Sequence, residues 1–134
     1  YDFLDATIER WFGNPVSDGH KGSAAHVRRV FTKLDHVGYA RAYGVFATSD
    51  SIHKHRFGSL TMPTLYMTGE LDANSSPAMS RAMSELTPNA RAELVHNAGH
   101  MINMTHPEQV NNSLSQFLAQ PLAAQCTSAE DRRC

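Results

Sequence analysis

Two short apolar runs in the second half of the chain, each followed by a helix-length amphipathic segment, limit the fold more than any other feature. The first is Met62-Pro63-Thr64-Leu65-Tyr66-Met67-Thr68-Gly69, with a proline near its start and a glycine at its end. A run of that length between turn residues suits a buried strand of a parallel sheet. An acidic loop follows, Glu70-Leu71-Asp72-Ala73-Asn74, and Ser75-Ser76-Pro77 then opens a helix that reaches about residue 86. Ser76 ahead of Pro77 predicts an N-cap followed by a proline at the first helical position. Thr87-Pro88-Asn89 stops that helix, residues 92–96 make the second strand, and Asn97-Ala98-Gly99-His100 forms a turn. Residues 107–120 predict a last helix with Val110, Leu114, Phe117 and Leu118 on its buried side. Strands alternating with helices of this length imply an α/β fold with a parallel sheet. Two strands do not complete such a sheet, so the expectation is that a missing N-terminal half or a complementing chain finishes it.

The first third reads as helical. Residues 2–11 begin a segment that places Phe3, Leu4, Ile8, Trp11 and Phe12 at helical spacing, and Gly13-Asn14-Pro15 breaks it. A second helix opens at Ser23-Ala24-Ala25-His26 and carries Val27, Val30, Phe31 and Leu34. A third spans residues 38–49, with Tyr39, Ala42, Tyr43 and Phe46 along one side. Residues 1–58 are therefore expected to form a small helical unit, 59–120 a piece of an α/β core, and 121–134 a flexible polar tail.

A chain of 134 residues is long enough for one domain with a core. Twelve Lys and Arg against 13 Asp and Glu give a net charge of −1, which supplies no basic field for a phosphate backbone, so no nucleic-acid partner is expected. No apolar run approaches the roughly 18–20 residues of a membrane-spanning helix, and no membrane association is expected. Residues 1–5 show neither a charged-then-apolar signal pattern nor an initiator Met. The expectation is a cytoplasmic protein whose sequence here starts inside a longer reading frame. The two cysteines, Cys126 and Cys134, lie in the last nine residues and are expected to be free thiols. Of the eight histidines, the tightest pair is His53-Lys54-His55, which lacks the further ligands that zinc requires. No metal and no cofactor are expected.

In open α/β sheets the reacting groups gather at the carboxyl ends of the strands. Asp72 follows the first strand and His100 the second. An Asp that accepts the Nδ1–H of a His fixes the tautomer and makes the other ring nitrogen a general base. Two plainer readings stand beside this one: Asp72 as an Asx-turn or cap residue, and His100 as a surface histidine.

Pro63 to Asp72, in the segment quoted above, resembles the seventh strand and acid loop of the α/β-hydrolase superfamily. Ala98-Gly99-His100-Met101-Ile102-Asn103-Met104, followed by Pro107-Glu108-Gln109-Val110-Asn111 and Phe117-Leu118, is similar to its closing strand, histidine loop and last helix. Trp11-Phe12 and Gly38-Tyr39-Ala40-Arg41-Ala42, with Asp50 ahead of the next strand, further resemble the cap of its 3-oxoadipate enol-lactonase-like branch. The resemblance covers roughly residues 3–118. It implies a partial α/β-hydrolase fold: a helical cap or lid over residues 1–58, then the last two parallel strands and their helices. It also implies that Asp72 is the acid and His100 the base of a Ser-Asp-His triad.

The sequence departs from that family in one large respect and one small one. It contains no Gly-x-Ser-x-Gly nucleophile elbow and no His-Gly-type oxyanion loop, so this chain alone is expected to be inactive. Thr105 stands where the family often carries Glu, and is expected to cap the final helix. Trp11, Phe12, Tyr39 and Met101 are candidates to line a substrate pocket, with ordinary core packing as the alternative. The six methionines read as adaptable packing, with Met101 and Met104 flanking His100. Arg41 is a candidate carboxylate ligand or a solvated residue, and His96 reads as structural.

Two functions are therefore in view. The first is the C-terminal portion of a cofactor-free serine hydrolase that cleaves a small ester or lactone, with enol-lactone opening as the branch-level expectation. The second is a non-catalytic module that associates with another chain, or with its own copy as a homo-oligomer, through its incomplete sheet. The fold that the resemblance implies hosts esterases, C–C bond hydrolases, dehalogenases and cofactor-free haloperoxidases alike.

Overall fold

The computed structural model describes residues 3–49 and 52–120; Asp50 and the cysteine-bearing residues 121–134 lie outside them. Helix α1, Phe3–Phe12, turns Ile8 and Phe12 inward, with Leu4 and Trp11 half-buried beside them. It ends where Gly13, at φ 106°, donates its N–H to the Glu9 carbonyl at 2.8 Å, a backbone conformation that glycine adopts without strain. After a single 3₁₀ turn, α2 (Lys21–Phe31) packs Ala24 and Val27 against Ile8 and Phe12. An ion pair between Arg28 and Asp5 ties the two helices at their solvent edge.

Helix α2 stops at Phe31 and does not reach Leu34. The reason is local: the Asp35 carboxylate accepts the N–H groups of Val37 and Gly38, both at 3.1 Å, and starts α3 (His36–Thr48) two residues ahead of the expected Gly38. No residue of α3 is buried, and Val37, Tyr43, Val45 and Phe46 are all exposed.

Strand β1 (Thr64–Gly69) and strand β2 (Ala90–Val95) pair in parallel, from Thr64 opposite Ala90 to Gly69 opposite Val95. Among the described residues this sheet has two strands. The crossover is α4 (Pro77–Leu86), with Pro77 at its start. Ser76 is the N-cap by position, yet its hydroxyl makes no capping bond; its carbonyl accepts the Met79 and Ser80 amides instead. Thr87 closes the helix by donating to the Met83 carbonyl at 2.9 Å, and its hydroxyl also bonds Tyr66 Oη of β1.

Beyond β2 the chain makes a single turn, α5 (Ile102–Thr105), and then α6 (Pro107–Ala119). Thr105 does not cap α6: its hydroxyl donates back to the Met101 carbonyl at 3.0 Å, and His106 occupies the N-cap position. Val95, Ala98 and Val110 form a second core cluster with Met67 and Ile102 against it. Only part of the expected apolar face of α6 is used. Val110 is buried and Phe117 half-buried under the Arg91 guanidinium, whereas Leu114 and Leu118 are exposed, Leu118 by 77%. A sheet of two strands covers about one helix face over a short width, so among the described residues the outer leucines meet no partner surface. Among the described residues no helix is long and apolar enough to cross a membrane.

Candidate active site

The site forms where the two loops leaving the carboxyl ends of β1 and β2 run side by side. Pairing continues past the strands, with the Glu70 N–H donating to Val95 at 3.0 Å and the Leu71 N–H to Ala98 at 2.9 Å. This approach depends on glycine. A Cβ at Gly69 would overlap the carbonyl oxygens of Ala98 and Gly99, and one at Gly99 would sit 2.8 Å from the Trp11 carbonyl oxygen. Glu70 braces the second loop by accepting the Asn97 N–H at 3.1 Å, with His96 at 3.5 Å. The Asn97 bond, against a smaller opposing cost of burial, holds the Glu70 carboxyl below its ordinary value. Asn97 itself adopts φ 55°, a left-handed conformation that Asn tolerates.

Asp72 is buried, 6% exposed, and both carboxylate oxygens are engaged. Oδ1 accepts the backbone N–H groups of Asn74 at 2.7 Å and Ser75 at 2.9 Å. Oδ2 lies 2.8 Å from His100 Nδ1, across 28 residues of sequence. Burial raises the Asp72 pKa, but the Ser75 N–H, the His100 side chain and the Asn74 N–H together outweigh it, and the carboxyl sits below its ordinary value. The carboxylate is thus an Asx-turn acceptor and a histidine partner at once, so the plainer reading and the chemical one describe different oxygens of one side chain. With Nδ1 facing Asp72, His100 keeps Nε2 as the basic nitrogen. Thr68, at the end of β1, donates to the Ser75 carbonyl at 2.7 Å and holds the Asp72 loop closed.

His100 borders a cleft of about 450 Å³ between the helical unit and the Asp72 loop. Trp11, Tyr39, Tyr43 and Phe46 supply an aromatic wall; Asn74 and Ser75 come from the loop. The Trp11 ring centroid is 5.4 Å from that of His100, and the rings continue from Trp11 to Phe31 and from Phe31 to Tyr39, each step 5.5 Å. Of the four residues expected to line a pocket, Trp11 and Tyr39 do so. Phe12 does not: adjacent helix residues point about 100° apart, so Phe12 enters the core beneath Trp11. Met101 does not line the cleft either; it packs with Met104 against the same α1–α2 core.

Arg41 is exposed and away from the cleft, and His96 is exposed beside Glu70. Among the described residues no group of three or more His, Cys, Asp or Glu side chains is placed to hold a metal ion. The sequence reading missed Phe3, Thr7 and Arg10, which also line the cleft. The available signal was their i, i+4, i+7 spacing on α1, a stripe beside the one that carries Leu4, Ile8 and Phe12.

A family model described as serine hydrolase (FSH1) matches residues 24–111. A hydrolase of (E)-2-((N-methylformamido)methylene)succinate from Acinetobacter baylyi is 30% identical over 115 residues, 86% of this chain and 43% of that protein. The carboxylesterase YbfK of Bacillus subtilis is 42% identical over 62 residues, 45% of this chain and 21% of that protein. Among solved structures, Est816, described as an N-acyl homoserine lactone degrading enzyme, superposes with a TM-score of 0.65 at 22% identity, covering 87% of this chain and 48% of that one. The chain spans less than half the length of each of these proteins.

Proposed function

Because the chain belongs to the serine hydrolase (FSH1) family, within the α/β-hydrolase superfamily, we propose that it supplies the acid and base of a hydrolase cleaving a small ester or lactone. The observation that carries this is the 2.8 Å contact between Asp72 Oδ2 and His100 Nδ1 at the carboxyl ends of two parallel strands. In this reading Asp72 orients His100, and His100 Nε2 takes the proton of a serine hydroxyl as its oxygen attacks the substrate carbonyl carbon. The same nitrogen returns the proton to the leaving oxygen, and water then releases the acyl group by the reverse exchange. The serine lies outside these 134 residues, since they hold no nucleophile elbow.

Residues 1–58 act as the lid and 59–120 as the closing part of the core. The reaction needs no cofactor. An ester fits the carboxylesterase YbfK and a lactone fits the compound named for Est816, and an enol-lactone is the finer expectation. The test is labelling of the full-length natural protein with a fluorophosphonate serine probe, read by intact mass. One adduct in the wild type and its loss in His100→Ala is the expected result; an unlabelled wild type overturns the reading.

A second reading, a module that joins another chain through its sheet edge, is favoured by the two-stranded sheet and the exposed Leu114 and Leu118. Gel filtration of the 134-residue chain tests it, and a monodisperse monomer counts against it.

A further inference from the structure

Helix α1 presents three functional stripes. Leu4, Ile8 and Phe12 face the core, Trp11 faces His100, and Phe3, Thr7 and Arg10 face the cleft. Among the described residues Arg10 is the one permanently charged side chain in the cleft lining. Its charge is not neutralised from within α1. Asp5 is held by Arg28 of α2, and Glu9 accepts from the Asn14 side chain at 3.0 Å. Asp72, the acid of the loop that borders the cleft, is buried and committed to His100, Asn74 and Ser75. Arg10 has no ion-pair partner among the described residues. The rest of the cleft offers aromatic faces and the uncharged Asn74 and Ser75. A guanidinium with free donors beside an aromatic wall is matched by a planar carboxylate on an apolar or aromatic body.

We infer that Arg10 is the specificity-determining residue of this cleft and binds a carboxylate carried by the substrate. The esters or lactones taken by the site are then anionic ones with an apolar body. The assignment rests on the hydrolase reading above for its consequence in catalysis, but on α1 geometry for the binding itself. A role confined to the last turn of α1, where a cation complements the helix dipole, predicts a stability effect and no change in substrate preference.

The test compares phenyl acetate with 3-acetoxybenzoate, which adds one carboxylate to the same ester, using the full-length natural protein. The ratio of kcat/KM for 3-acetoxybenzoate over phenyl acetate is expected to exceed one in the wild type. In Arg10→Gln that ratio falls by about tenfold or more, mostly through KM, as expected for losing a charge-assisted pair. Arg10→Lys keeps part of the preference, and Arg41→Gln, outside the cleft, leaves the ratio where it was. An unchanged ratio in Arg10→Gln overturns the assignment while the hydrolase reading stands. If the wild type hydrolyses neither ester, calorimetric titration with benzoate decides the assignment alone, and the hydrolase reading rests on the probe-labelling test above. Binding that Arg10→Gln abolishes upholds it, and no binding to the wild type ends it.

Discussion

The backbone N–H of His100 donates to the carbonyl of Trp11 at 3.1 Å, so the last turn of the first helix is bonded directly to the loop that carries the candidate base. The indole of the same tryptophan lies against the imidazole. A residue of the helical unit therefore fixes both the main chain and the ring of a residue in the α/β unit. Trp11→Ala keeps the first bond and removes the second contact. The expected cost is about 1–3 kcal/mol for a half-buried aromatic, read by urea denaturation. A variant as stable as wild type would show that the ring contact contributes nothing.

Gly69 is the residue least able to accept a side chain, because its Cβ position is filled by the carbonyl oxygens of Ala98 and Gly99. Those atoms are backbone and cannot swing aside. Gly69→Ala is expected to destabilise by about 1–3 kcal/mol and to part the Asp72 and His100 loops. Gly44→Ala meets nothing within 4 Å and is the matched control. Equal melting temperatures for the two variants would contradict the close approach.

Asp72→Asn separates orientation from chemistry. If Asp72 holds the His100 tautomer, kcat of the full-length protein falls by about 10⁴ while the fold persists. Stability against pH gives a second reading. The Asp72 carboxyl is depressed in the folded state, so its contribution is complete above the ordinary carboxylate pKa and is lost as pH falls through the lower folded value. Between about pH 5 and pH 2 the wild type is expected to lose stability more steeply than Asp72→Asn. Parallel acid-unfolding curves would rule this out.

Phe12 and Tyr39 distinguish core from cleft. Phe12→Ala is expected to cost about 3 kcal/mol or more as a core cavity, with KM of the folded fraction unaltered. Tyr39→Ala removes a half-buried ring of the cleft wall; it should change KM more than stability. A KM change in Phe12→Ala without loss of stability would reverse the two assignments.

Much of the α/β unit was legible because its signals are local. The run ending at Gly69, the proline at the start of α4 and the break at Thr87-Pro88-Asn89 each act within a few residues, and β1 and α4 follow them. Boundaries failed where a side chain chose a partner that the pattern did not show. Asp35 capped α3 and cut α2 short, while Thr105 bonded back to Met101 and left the N-cap position of α6 to His106, whose side chain makes no capping bond. Asp72 and His100 were legible for another reason. Parallel pairing of successive strands brings the loops that follow them to one edge, whatever their separation in sequence.

The sequence by itself determined the parallel strand–helix alternation, the helical first third and the edge where Asp72 and His100 meet, since run length, periodicity and turn residues are properties of short windows. Tertiary structure alone decided that Trp11 rather than Phe12 touches His100, that Arg10 faces the cleft, and that Leu114 and Leu118 stay exposed. An amphipathic pattern states which residues share a helix face. It does not state how far the neighbouring surface extends across that face, and that extent settles which side chains are covered and which are left to meet a ligand.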